Sequence, residues 1–127
     1  MRSIPTLFFA TGAFFALCGM LWGIEMAITQ DHALSPAHGH LNLVGFVAMS
    51  IFGTYYALTP QAAASTLAHF HYLLMVLAVI TLSAGIAMAI SMDQEVLAKV
   101  GSILAALAMA MFLVIVIRNG VGSRDGT

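Results

Sequence analysis

Four long apolar runs, at positions 5–29, 37–58, 64–90 and 96–117, take up most of the chain, and only short breaks at 30–36, 59–63 and 91–95 separate them. Each run is long enough to cross a hydrocarbon core of about 30 Å, which takes about 20 helical residues. Lipid offers a backbone no hydrogen bonds, so a span must be a helix or part of a closed barrel. The runs lack the apolar/polar alternation of barrel strands. Connections this short make consecutive helices antiparallel neighbours. The sequence therefore predicts an all-α integral membrane four-helix bundle, built as a single domain over 1–127.

The charged residues respect these runs. Only 7% of the residues are charged, against about 25% in soluble domains. Arg2, Asp31, Asp93, Glu95, Arg118, Arg124 and Asp125 lie at run ends or between runs, while Glu25 and Lys99 lie inside runs but close to an end. A net charge of −1 leaves no basic patch and argues against a nucleic-acid partner. One cysteine, Cys18, excludes an intrachain disulfide and a cysteine-pair metal site. Bulky Leu17 before it does not suit lipoprotein processing. The first run exceeds the about 7–15 apolar residues of a secretory signal and no small-x-small site follows it, so a retained span is expected. An even number of spans puts both termini on one side. Arg2, Arg118 and Arg124 then predict, by the positive-inside rule, that both termini are cytoplasmic in a cell (inner) membrane, with Asp31, Asp93 and Glu95 outside.

Small residues mark where helices can approach closely. Gly12, Ala16, Gly19 and Gly23 form one stripe; Gly101, Ala105 and Ala108, with Ser102, Ala106 and Ala110 beside them, form another. Either stripe suits packing within the bundle or between subunits. The nine methionines are scattered through apolar helices, where the side chain fills space.

The chemistry-bearing residues are the histidines: His32, His38, His40, His69 and His71. An imidazole in lipid is costly without a metal, a haem or a polar partner. His38 and His40 open the second helix two residues apart, which is about 200° of rotation, so only one can enter a given interface. The deeper His40 is the favoured ligand, with Glu25 at comparable depth to engage its second nitrogen. Asn42 and Trp22 share that layer. His69 and His71 repeat the spacing at the head of the third helix. At about 1.5 Å per residue they differ in depth from His40 by about 20 Å, so they form a separate and weaker candidate metal site. Their simpler reading is interfacial packing beside Tyr72, on a carbonyl or water. His32 reads as a solvated loop residue.

The segment His40-Leu41-Asn42-Leu43-Val44-Gly45-Phe46, continuing to Phe52-Gly53-Thr54-Tyr55-Tyr56-Ala57-Leu58-Thr59-Pro60, resembles helix II of the catalytic subunit of the haem-copper oxidase superfamily. It is most similar to the nitric oxide reductase branch and to short oxidase-like membrane proteins. The resemblance implies that His40 is an axial ligand of a low-spin haem near the outer face. Ala68-His69-Phe70-His71-Tyr72 is similar to the His-x-His of the family's helix X, which supplies axial ligands to two haems. Helix X begins outside and this helix inside, and a position directly after helix II matches helix III, so those roles are not carried onto His69 or His71. The similarity spans helices I–IV only. The later helices that bear the copper-site histidines and tyrosine have no counterpart, so one copy builds no oxygen- or nitric-oxide-reducing centre. The family's subunit is itself a ring of four-helix units, which suggests a homo-oligomer, a trimer by analogy.

The leading expectation is a membrane b-type haem protein that passes electrons to or from a partner, with cofactor contacts from His40, His38 and Glu25. One alternative is a non-catalytic structural or assembly subunit of a respiratory complex. Another is copper binding through His32, His38, His40 and nearby Met26.

Overall fold

The computed structural model describes residues 3–124; Arg2 and Asp125, which entered the topology expectation, lie outside the described residues. Four helices long and apolar enough to cross a membrane make up the chain. They are α1 (Ile4–Thr29), α2 (Ser35–Leu58), α4 (Thr66–Met92) and α5 (Val96–Asn119), with one short turn of helix, α3 (Pro60–Ala63), between the second and third spans. The protein is a multi-pass membrane protein of the all-α class.

Local chemistry sets the boundaries. Ser3 caps α1, its hydroxyl accepting from the Thr6 amide at 3.3 Å, and Pro5 suits a first turn whose amides have no intrahelical acceptor. The helix stops where Gln30 turns left-handed at φ 59 and its Nε2 donates to the Ala27 carbonyl at 2.6 Å. Pro36 and Pro60 open α2 and α3 in the same way as Pro5 opens α1. Ser65 caps α4 through the Ala68 amide, and Asp93, at φ 55, closes it. Neither Gln30 nor Asp93 is a glycine, whereas the positive-φ positions after α5, Gly120 and Gly122, are. Against the sequence boundaries, α1 and α2 begin one and two residues earlier, at their proline-bearing first turns, α4 begins two residues later, after the Ser65 cap, and α4 and α5 each end two residues later.

The second span departs from a regular α-helix. Residues Leu43–Ala48 form a π-helical stretch at mid-span, continuous with α-helix on both sides. Gly45 sits within it, and a Cβ there would lie 3.0 Å from Phe15 Cβ and 3.1 Å from Val79 Cγ1, so its absence lets α1 and α4 both close on α2.

Glycines set the packing elsewhere. Gly12 faces Met49, Gly19 lies beneath the Asn42 carboxamide, and Gly53 faces Phe8 and Phe9, which joins α1 to α2. On the other side, a Cβ at Gly85 would strike the backbone of Ala98, and one at Gly101 would strike the backbone of Leu82. The stripes at Gly12/Gly19/Gly23 and Gly101/Ala108 therefore serve the bundle itself. Ser102, Ala106 and Ala110 remain exposed.

Both described termini and the α2–α4 connection share one end of the bundle, here the terminal end. A hydrogen-bonded strap ties them together. Tyr55 Oη donates to the Gly120 carbonyl at 2.7 Å, and Gln61 Nε2 donates to the carbonyls of Asn119 and Gly122 at 3.2 and 2.9 Å. The Gly122 amide donates to Thr59 Oγ1 at 3.0 Å. The connections after α1 and after α4 lie at the opposite end.

Candidate functional site

The histidines of the second span face different surroundings. His38 is half-buried and turns toward α1, where a Cβ on Gly23 would lie 3.3 Å from His38 Cε1. Trp22 meets the ring edge-on, with centroids 6.1 Å apart. Asn42, one turn further on, donates its Nδ2 to the His38 carbonyl at 2.9 Å and to His38 Nε2 at 3.2 Å. His38 and Asn42 border an open slot of about 450 Å³ between α1 and α2, with Met20, Gly23, Ile24 and Ala27 on its other side.

His40 points elsewhere: it is exposed on the bundle surface. Its Nδ1 lies 2.8 Å from the Pro36 carbonyl. A carbonyl oxygen can only accept, so Nδ1 carries a proton, and in the neutral ring Nε2 is the nitrogen with the free lone pair. The second-nitrogen contact expected from Glu25 comes instead from this backbone carbonyl. Glu25 is exposed, and its carboxylate forms no hydrogen bond or ion pair among the described residues. His32 is exposed in the connection, as the sequence suggests, and Met26 is buried. Among the described residues no group of three or more His, Cys, Asp or Glu side chains gathers to hold a metal ion.

The third span separates its two histidines equally sharply. His69 is exposed, its Nδ1 donating to the Ser65 carbonyl at 3.3 Å, one of the two kinds of partner expected for it. His71 is not interfacial. It is fully buried, and Tyr56 Oη lies 2.9 Å from its Nδ1, while its Nε2 has no hydrogen-bond partner. Phe52 of α2 meets the imidazole at 4.7 Å between centroids, Phe8 of α1 at 5.5 Å, and Phe112 of α5 stacks on it at 5.6 Å and 18°. All four spans thus contribute to one aromatic layer around a single imidazole. Tyr72 beside it bonds Thr11 of α1 at 2.5 Å.

The Tyr56–His71 pair, 15 residues apart across the connection between the second and third spans, was not singled out because depth along a helix does not say which way a side chain faces. A signal existed. His71, Met75, Ala78, Leu82 and Gly85 follow one another at helical spacing, and Gly85 marks the face that packs; all five are buried. His69 lies off that face.

What these arrangements can do differs. The His71 layer is closed to the surface, so it orders the helices through one buried hydrogen bond. His40 presents a metal-competent nitrogen outward with its tautomer fixed. No family model matches the chain, and no curated protein or solved structure matches it.

Proposed function

We propose that this chain is a small b-type haem protein of the membrane, an electron carrier in which His40 supplies one axial ligand. The observation that carries this reading is the His40 ring itself. It is exposed on a membrane-length helix, and the Pro36 carbonyl holds Nδ1–H at 2.8 Å, leaving Nε2 to bind a metal. A backbone or carboxylate acceptor on the far nitrogen is the usual support of a ligating imidazole and raises its basicity. An outward imidazole in lipid without a strong partner is costly. Exposed Leu43, Phe46 and Val47 follow it along the helix and suit an apolar macrocycle.

The residues fit such a group as half of an axial set. His38 is turned toward α1 and hydrogen-bonded to Asn42, and His71 is enclosed, so neither is free to take the opposite position. A second copy of the chain would supply the other ligand, in line with the homo-oligomer suggested by the resemblance to haem-copper oxidase subunits. When bound, the haem supplies one-electron exchange, and its potential is tuned by axial ligand and burial. The protein's own part is to hold and orient: Pro36 fixes the ring and the apolar surface keeps water away. The same reading puts both termini in the cytoplasm and the chain in the cell (inner) membrane, with Arg118 and Arg124 on the cytoplasmic side.

The test is a reduced-minus-oxidised absorption spectrum of protein made under haem-replete conditions and purified in mild detergent. Low-spin b-type bands are expected in the wild type and in Glu25→Gln, and are lost in His40→Ala. Full haem retention by His40→Ala overturns the ligand assignment, and a featureless wild-type spectrum overturns the haem reading.

The exposed Ser102, Ala106 and Ala110 favour a second reading, a structural or assembly subunit seated through α5 on a larger complex. That protein would be colourless and would co-purify with its complex.

A further inference from the structure

The charges on the described residues are sorted by end. Among the described residues every carboxylate, on Glu25, Asp31, Asp93 and Glu95, belongs to the opposite end, where Lys99 pairs with Glu95 at 3.6 Å. The terminal end carries Arg118 and Arg124 and no carboxylate among the described residues. The two arginines line one cavity of about 370 Å³, together with Ser65, Thr66, Leu67 and Asn119. That volume falls within the range of small-ligand pockets, about 300–1,000 Å³.

The geometry points to a phosphate-binding pocket at the terminal end, formed by the guanidinium groups of Arg118 and Arg124 with the Thr66 hydroxyl, and filled by a phosphate-bearing group at the membrane surface. The donor set is what phosphate requires: planar, permanently charged guanidinium forks and a hydroxyl. Arg118 is free to bind, since its guanidinium makes no hydrogen bond or ion pair among the described residues. Arg124 is held in place. Its Nη2 donates to the Arg118 carbonyl at 3.2 Å, and its amide donates to Gln61 Oε1 at 3.3 Å. A clamp with one fixed and one adjustable arm follows. Thr66 and Leu67, the first residues of α4, line the cavity, so the positive end of that helix dipole lies beside it. This site is independent of the haem reading, being at the other end of the bundle from His40.

The phosphate can come from a lipid headgroup or from solution, and the experiment separates the two. Detergent-purified full-length protein is incubated with phosphatidylglycerol, and the lipid retained is counted by native mass spectrometry, with and without millimolar inorganic phosphate. Wild type is expected to retain phosphatidylglycerol. Arg118→Gln and Arg124→Gln are each expected to weaken retention about fivefold, which corresponds to about 1 kcal/mol per basic residue near a membrane surface. Lys99→Gln, which removes a cation at the other end, should leave it unchanged. Retention insensitive to inorganic phosphate identifies a lipid headgroup; displacement by inorganic phosphate identifies the free anion. If Arg124→Gln fails to fold because the Nη2 bonds to the Arg118 carbonyl and Asn119 Oδ1 are lost, Arg118→Gln decides alone. Retention equal in wild type and Arg118→Gln, or weakened as much by Lys99→Gln, overturns the proposal.

Discussion

Replacing Tyr56 by phenylalanine removes one oxygen atom and with it the hydrogen bond of a fully buried imidazole. Tyr56 and His71 are both 0% exposed, and His71 Nε2 is unpartnered in the wild type, so Tyr56→Phe leaves both ring nitrogens unsatisfied inside an aromatic cage. Two magnitudes bound the cost. An orphaned buried polar group costs about 1–3 kcal/mol, whereas interhelical hydrogen bonds in membranes average about 0.6 kcal/mol because the unfolded helices also find partners in lipid. The closed site at His71 argues for the middle of that span, about 1–2 kcal/mol. The complementary change, His71→Phe, strands the Tyr56 hydroxyl and should cost a similar amount. The double change leaves no unsatisfied polar atom in the pair and fills the cage with a ring of similar shape, so it should recover most of the loss. Unfolding in mixed detergent–denaturant titrations, followed by circular dichroism, gives the three differences and a coupling energy. If Tyr56→Phe unfolds with the wild type, or if the double change is no better than the worse single one, the pair does not tie the helices as argued.

Gly39→Ala and Gly101→Val should move stability in opposite directions. A Cβ at Gly39 meets nothing within 4 Å, so alanine there gains about 0.5–1 kcal/mol of helix propensity, while valine at Gly101 strikes the Leu82 backbone and should destabilise by more than about 2 kcal/mol; the same titration reads both. Gln30→Gly and Asp93→Gly each relieve a left-handed non-glycine residue, at φ 59 and 55, and should raise the unfolding free energy by up to about 1 kcal/mol, read as a higher midpoint. A lower midpoint for both would mean that the side chains matter more than the backbone strain, Gln30 through its 2.6 Å bond to the Ala27 carbonyl.

The four spans were legible because lipid tolerates so few charges that Asp31, Asp93 and Glu95 mark the connections directly. The helix faces were not, for the same reason. In water a buried face shows as a stripe of apolar residues against polar ones, but a span is apolar all round and its periodicity carries little. Glycine carries the information instead. Counting from Gly45 at helical spacing, His38, Asn42, Met49, Phe52 and Tyr56 fall on the inward side of α2 while His40 does not. The expected 200° separation of His38 and His40 was therefore sound, and what it lacked was an anchor to say which one faced in. The π-helical stretch at Leu43–Ala48 left no mark in the sequence beyond Gly45. Glu25 was placed near the imidazoles by depth alone, and depth does not specify direction around a helix.

The strap at the terminal end sets an order on how the protein can be made. The acceptors for Tyr55 and Gln61 are backbone carbonyls of Gly120, Asn119 and Gly122, which the ribosome delivers only after the last span. During insertion the first hairpin can therefore pack through Gly12, Gly19 and Gly53 as soon as it is released, but its polar corner at Tyr55–Gln61 stays hydrated until residues 119–122 arrive. Biogenesis thus proceeds as early packing followed by late locking, with the final turn of chain acting as the latch.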